Sequence, residues 1–260
     1  MANGLALQPR LRAIANLVPD GARLVDVGTD HGFIPVDLLL SERICSAIAS
    51  DIGAEPLQHA VNTAAEYGVQ GIDFRLCPGL DAIAPEECDT ILIAGMGGET
   101  IITILENAPW TRSGEHLLIL QPMTKVEMLR KWLADNGYTF TGERLVFDKD
   151  HLYPIMLMRG GTQSAISEAA QYGGVMLEGD PLYADYLNER IKKLTVAVDG
   201  LLRAKREEQR AAAEELAHIR EALVERRRMA GWQEFGKLNV FSMIGHRRNW
   251  QRPGTMWGCW

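Results

Sequence analysis

Residues 23–40 read RLVDVGTDHGFIPVDLLL: a short apolar run, Leu24 to Val27, a break at Gly28, a second glycine at Gly32, and then a longer apolar stretch. A strand that ends on glycine and hands over to a helix is the repeating unit of a parallel sheet. This chain repeats it. Strand-like runs recur at RLVDVG, SAIASDI, IDFRL, DTILIAG and HLLILQP, with amphipathic stretches such as 56–67, 98–107 and 124–136 among them. RLVFDKDHLYPIMLMR then reads as a pair of late strands about a turn at Asp148–His151. Short apolar runs alternating with helical stretches are the pattern of strands buried on both faces. Residues 1–160 are therefore expected to form an α/β, doubly wound sheet covered by helices on both sides.

From residue 180 the pattern changes. DPLYADYLNERIKKLTVAVDGLLRAKREEQRAAAEELAHIREALVERRR opens with Asp180 as an N-cap and Pro181 at the first helical position. Leu187, Ile191, Leu194, Val198 and Leu201 then recur at heptad spacing, and Leu216, Ile219 and Leu223 repeat the stripe. So narrow a stripe on a charged helix predicts an antiparallel α-helical coiled-coil hairpin, turning at Asp199-Gly200 or in the polar stretch 205–210. The expected organisation is a domain over 1–160, a connection and helical coiled-coil domain over 161–230, and a tail, 231–260. That tail carries four of the six tryptophans and no period that assigns it a structure.

With 260 residues and 47% hydrophobic content the chain is long enough to bury a full core. Cys45, Cys77, Cys88 and Cys259 lie far apart without a C-x-x-C pair. That argues against a zinc site or a disulfide framework and fits a reducing cytoplasm; no metal is expected. The N-terminus lacks the basic start and apolar core of a signal peptide, and no run approaches the ~18 apolar residues of a membrane span. A soluble, cytoplasmic protein without a membrane partner follows, with a monomer favoured. The net charge of −7 is uneven: residues 1–150 carry −10 and residues 151–260 carry +3. Arg226, Arg227, Arg228, Lys237, Arg247, Arg248 and Arg252 face Glu234 alone in sequence. Such a run is either a solvated face or the surface on which a phosphate backbone rests beside an acidic body.

In a doubly wound sheet, ligands bind where the first strand turns into its helix, and an acid closing the second strand accepts ribose hydroxyls. Asp51 holds that position, 25 residues after Asp26. That acid serves NAD and S-adenosylmethionine alike, and the loop separates them. A dinucleotide loop needs a third glycine and a helix N-terminus aimed at a pyrophosphate. Here the third glycine position is Phe33 and the middle one is Asp30. Asp26 and Asp30 would repel a pyrophosphate, whereas both suit the sulfonium and ammonium of S-adenosylmethionine. Asp26-x-Gly28-x-x-x-Gly32 with Asp51 therefore reads as a methyltransferase cofactor site rather than an ordinary turn with a capping Asp.

VDVGTDHGFIPVDLL, AIASDIGAEPLQHA, DTILIAGMGGETIITIL and LLILQPM closely resemble the bacterial tRNA (adenine(22)-N1)-methyltransferase family, often called TrmK. The resemblance runs from about Leu7 to about Arg228 and implies a Rossmann-like class I methyltransferase domain followed by a helical hairpin. It implies that Asp26, Gly28, Asp30, His31 and Gly32 hold the methionine end of S-adenosylmethionine. Asp51 and Ile52 would hold the ribose and one adenine face, and Gly79 and Leu80 the base. Ala94, Gly95, Met96 and Gly97 would line the floor where donor meets acceptor. The family's usual Gly-Asp-Gly-Leu is Cys77-Pro78-Gly79-Leu80 here, with Pro78 in place of an acid. The tail beyond 230 matches nothing in the family.

The implied acceptor is N1 of adenine 22 in tRNA. That nitrogen already carries a lone pair, so the enzyme must position the base and receive a proton from N6. AGMGG offers no side-chain acceptor after the fourth strand. Backbone carbonyls at Gly95 and Met96 are the candidates, with Asp30 or His31 approaching from the first loop. Asp89, at the start of that strand, should sit at the opposite edge as a structural residue. Arg226, Arg227 and Arg228 are the candidate tRNA contacts. Two other readings remain: a class I methyltransferase for another RNA or a small molecule, and a non-catalytic module whose hairpin recruits a partner.

Overall fold

The computed structural model describes residues 5–203 and 207–245, with side chains as far as residue 230. The elements in chain order are α1 (Pro9–Ala15), β1 (Ala22–Val27), α2 (Phe33–Leu40), β2 (Ile44–Asp51), α3 (Ala54–Glu66), β3 (Ile72–Leu76), β4 (Thr90–Gly97), α4 (Gly98–Asn107), β5 (Leu117–Thr124), α5 (Val126–Asp135), β6 (Tyr138–Asp148), β7 (His151–Gly160), α6 (Glu168–Gly173), α7 (Tyr183–Leu202) and α8 (Glu207–Gly245).

The strands form one sheet of order β3-β2-β1-β4-β5-β7-β6. The first five are parallel, and β7 runs antiparallel to both β5 and β6. Alternation along each strand divides the core in two. Val25, Ile91, Ile93, Leu118 and Leu120 pack with Ile101, Leu105, Leu129 and Leu133 of α4 and α5. Leu24, Leu92, Ile119 and Ile155 pack on the other face with Ile14 of α1 and Leu38 of α2. Each such side chain removed from water stabilises the fold by roughly 1.5–3 kcal/mol. The chain leaves β1 outward toward β3, then crosses back to β4 on the other side. That reversal opens a crevice between the carboxyl ends of β1 and β4, the expected place for a ligand. Asp89 sits at the opposite edge, where its carboxylate accepts from Arg23 N at 3.1 and 3.2 Å.

Arg227 Nε, late in the chain, donates to Asn188 Oδ1 near the start of α7 at 3.2 Å, so α7 and α8 are antiparallel. Leu187, Leu194, Ile219 and Leu223 are buried together with Leu145 of β6, Leu177, Tyr183 and Tyr186. The stripe thus seals against the sheet's edge strand as well as against the neighbouring helix. Helix α7 runs through Asp199 and Gly200 to Leu202, so the hairpin does not turn at that dipeptide. Asp180 does not cap α7, which starts at Tyr183; its two oxygens accept from Leu182 N (2.9 Å) and Leu145 N (3.0 Å), pinning the approach to the helix onto β6. Residues 246–260, with Arg247, Arg248 and Arg252, lie outside the described residues. Among the described residues, no helix is long and apolar enough to cross a membrane.

A buried ion pair fastens these helices to the sheet domain. Arg130 of α5 donates through Nε to Glu143 Oε1 of β6 at 2.8 Å, with both side chains 0% exposed. Arg130 Nη1 also reaches Gln171 O (2.9 Å) and Tyr186 Oη (3.3 Å). Glu143 Oε2 accepts from Val175 N (2.6 Å) and Met176 N (2.8 Å). Five segments therefore meet on one charge pair.

Candidate active site

Strand β1 turns at Gly28, whose φ is +74°. Gly28 N and Thr29 N both donate to Ser50 O, at 2.8 and 3.0 Å, tying the loop to β2. Glycine suits this position because of its left-handed backbone conformation; a Cβ there would also meet the terminal methyl of Met96, which would have to swing aside. Asp26 lies just before this turn, buried within β1. Thr29 Oγ1 donates to Asp26 Oδ2 at 2.7 Å, and among the described residues no cation pairs with it. Burial raises its carboxyl from 3.8 to about 6; the Thr29 hydrogen bond opposes the shift and the Asp51 charge adds to it.

Two cavities meet at Gly28. The first, about 450 Å³, is lined by Gly28, Asp51, Ile52, Pro78, Gly79, Asp81, Met96, Thr100 and Ile104 among others. The second, about 300 Å³, is lined by Gln8, Arg10, Asp26, Gly28, Asp30, His31, Phe33, Ala94 and Gly95 among others. Arg10 is the only lysine or arginine lining either cavity among the described residues. Its side chain is 19% exposed and held from three sides. Nη1 donates to Gln121 Oε1 at 2.6 Å, Nε lies 3.9 Å from Asp148, and the guanidinium sits 5.9 Å over the Tyr153 ring. The polar cavity thus offers buried negative charge and a fixed positive charge, the complement of an α-amino acid zwitterion.

His31 is stacked against Phe33 at 5.2 Å and His59 at 4.8 Å, in a backbone conformation with φ +66°. Its Nε2 and His59 Nδ1 lie 3.5 and 3.6 Å from the same Asp30 oxygen. Asp30, His31 and His59 form a group with the donor types of a metal site. The two rings are 11° from parallel and stacked, so no point lies in both ring planes at bonding distance, and a metal held by both would require at least one ring to turn.

The chain matches the family described as a methyltransferase domain over residues 7–156. A tRNA (adenine(22)-N(1))-methyltransferase of Bacillus subtilis is 31% identical over 194 residues, spanning 74% of this chain and 82% of that protein. The chain belongs to this family. The crystal structure of the B. subtilis m1A22 tRNA methyltransferase TrmK superposes with a TM-score of 0.77 at 28% identity, covering 85% of this chain and 98% of that one. A Streptococcus pneumoniae protein solved in complex with S-adenosyl-L-methionine is 30% identical, with a TM-score of 0.72 and coverage of 83% of this chain and 97% of its own.

Of the residues that family resemblance singled out, Asp26, Gly28, Asp30, His31, Asp51, Ile52, Gly79, Ala94, Gly95 and Met96 line one or both cavities. Ile52, 76% exposed, is an apolar side chain left at the rim of the larger one. Gly32, Leu80 and Gly97 line neither. Gly32 caps α2 against Ala60, Gly97 caps α4, and Leu80 is turned into the core. Asp81 lines the larger cavity in place of Leu80, offering a carboxylate where the family's loop acid is Pro78. Arg226 donates to Gly174 O (2.9 Å), Arg227 to Asn188, and Arg228 to Glu225 (2.7 Å), so each of the three has an internal partner. Sequence reasoning missed Gln8, Arg10, Phe33, His59 and Gln121. The only signals were Pro9 opening a short helix and the polar glutamine inside an otherwise apolar strand.

Proposed function

We propose that this protein methylates N1 of adenine 22 in tRNA, with S-adenosylmethionine as donor. The observation that carries the proposal is Asp26, a buried carboxylate without a cation, at the junction of two cavities in a chain of the tRNA (adenine(22)-N1)-methyltransferase family. The residues fit the cofactor's groups: Asp51 for ribose hydroxyls, Ile52 and Gly79 for the adenine, Asp26 for the ammonium and Arg10 for the carboxylate. When bound, S-adenosylmethionine supplies a methyl group activated by a sulfonium. Adenine N1 has no proton to lose, so the chain's own work is to orient the base and to accept the N6 hydrogens as positive charge develops. Ala94, Gly95 and Met96 form the floor for that base, and Asp30 lies at the rim with its oxygen between two imidazoles. No step needs a metal ligand from these residues.

The remaining assignments are read as follows. Residues 1–160 carry the chemistry, 161–230 form a helical domain, and the enzyme works as a cytoplasmic monomer. Burial of Leu187, Leu194, Ile219 and Leu223 within one chain supports the monomer, since these side chains are already covered. The exposed faces of the hairpin, with Arg227 and Arg228, meet tRNA. Mass spectrometry of nucleosides from unmodified tRNA incubated with the protein and S-adenosylmethionine tests the reading: 1-methyladenosine at position 22 is expected. A methylated product at another position, or none, contradicts it.

A further inference from the structure

The catalytic edge carries one fully buried polar side chain whose partners come from different elements. Gln121, in β5, is 0% exposed. Its Oε1 accepts from Arg10 Nη1 at 2.6 Å and from Gly95 N at 3.2 Å. Its Nε2 donates to Pro122 O at 3.0 Å and lies 3.5 Å from Met123 Sδ. A glutamine has two acceptor lone pairs and two donor hydrogens, and here all four are engaged.

The Gly95 contact matters because β4 loses register there. Ala94 pairs with Gln121 and Met96 with Pro122, so Gly95 is an extra residue without a partner across the ladder. It takes φ +78°, a conformation suited to glycine. A bulge of this kind re-aims backbone groups out of a sheet, and its amide must find another acceptor. The Gln121 side chain is that acceptor. Ala94 and Gly95 line the polar cavity, and the AGMGG segment at the end of β4 carries no polar side chain. The hydrogen-bond acceptors it presents to a ligand are its peptide carbonyls.

We propose that Gln121 is a positioning residue for the acceptor base: it holds the Gly95 bulge so that the carbonyls of Ala94–Gly95 receive the exocyclic amine of adenine. This rests on the adenine-N1 reading above. Through Arg10 the same oxygen ties the bulge to the cavity wall assigned to the donor's carboxylate, so donor and acceptor are registered by one side chain. Met123, left partly exposed beside it, is fixed by the same amide and offers a thioether surface to a purine.

The test uses the full-length protein and two tRNAs, one with adenosine and one with purine riboside, which lacks the amine, at the target position. The wild type is expected to prefer adenosine. Gln121→Leu removes every bond and should lower kcat on adenosine tRNA by roughly 100-fold, the scale of a small misplacement of reacting groups. The preference for adenosine over purine riboside should shrink with it, because the group that reads the amine is what moves. Gln121→Glu keeps both acceptor contacts and should retain most of the preference. If Gln121→Leu does not fold, Gln121→Asn, which keeps the amide but shortens its reach, takes its place with the same expectation. An unchanged adenosine-to-purine ratio in the folded variant, with both rates lowered alike or neither lowered, overturns the proposal. A wild type that methylates neither tRNA overturns the adenine-N1 reading beneath it instead.

Discussion

Two buried carboxylates, Asp26 and Glu143, are kept in opposite ways. Glu143 has Arg130 against one oxygen and two backbone amides on the other, and neither side chain of the pair is exposed. Asp26 has one hydroxyl and, among the described residues, no cation, and its carboxyl is pushed up to about 6. Removing a charge from water costs several kcal/mol unless partners replace the lost hydration. The fold supplies those partners for Glu143 and withholds them from Asp26. A charge satisfied internally fastens parts of the molecule together; one left short of a partner at a cavity wall is, on the function proposed above, kept for a ligand of opposite sign.

Removing either member of the satisfied pair should have the largest effect. Glu143→Ala leaves Arg130 buried without its counter-ion and two amides without acceptors. Chemical denaturation should report a loss of about 3–5 kcal/mol. An unchanged midpoint would mean that the pair does not fasten the helices to the sheet.

Asp26→Asn should do the reverse. An acid whose folded-state pKa is raised favours the protonated native state. Its contribution to stability is therefore full below 3.8 and is lost as pH rises through about 6. At pH 8 the ligand-free wild type carries a strain of up to about 3 kcal/mol, which the neutral amide relieves. The variant should melt higher than wild type at pH 8, and the difference should vanish toward pH 4. A variant less stable at both pH values would mean that Asp26 is structural, like Glu143.

The arginines near the end of the described side chains show the same contrast at smaller scale. Arg226 is drawn inward to Gly174 O, and Arg226→Ala should cost about 1 kcal/mol. Arg228 meets only Glu225 on an exposed face, and Arg228→Ala should leave the melting temperature unchanged. Filter binding of tRNA across a salt series separates their other roles. Loss of an RNA contact at Arg228 lowers the log–log slope by roughly one unit, and no change in slope removes it from the interface.

Much of this is legible in the sequence. Strand–glycine–helix units gave the sheet, and Asp26, Gly28 and Asp51 marked the crevice because their positions follow from β1 and β2 alone. Contacts between distant segments were not readable. Arg10 and Gln121 lie 111 positions apart, and only the packing of α1 over the carboxyl edge joins them. Arg226, Arg227 and Arg228 looked like one basic cluster, yet consecutive residues on a helix point about 100° apart, so three charges found three separate partners. Leu80 and Asp81 differ by a single step in a turn, and which of them faces the cavity is set by the turn's geometry.

The central claim, that Asp26 is a buried carboxylate reserved for the cationic end of the cofactor, is tested most directly by proton-linked calorimetry. Binding of S-adenosylhomocysteine at pH 6 is measured in two buffers of different ionisation enthalpy, for wild type and Asp26→Asn. With its pKa at about 6, half of the free wild-type population holds a proton on Asp26, and an ammonium ligand must displace it. The wild type should therefore release about half a proton on binding and the variant almost none, with weaker affinity. Equal proton release and equal affinity in the two proteins would contradict the claim.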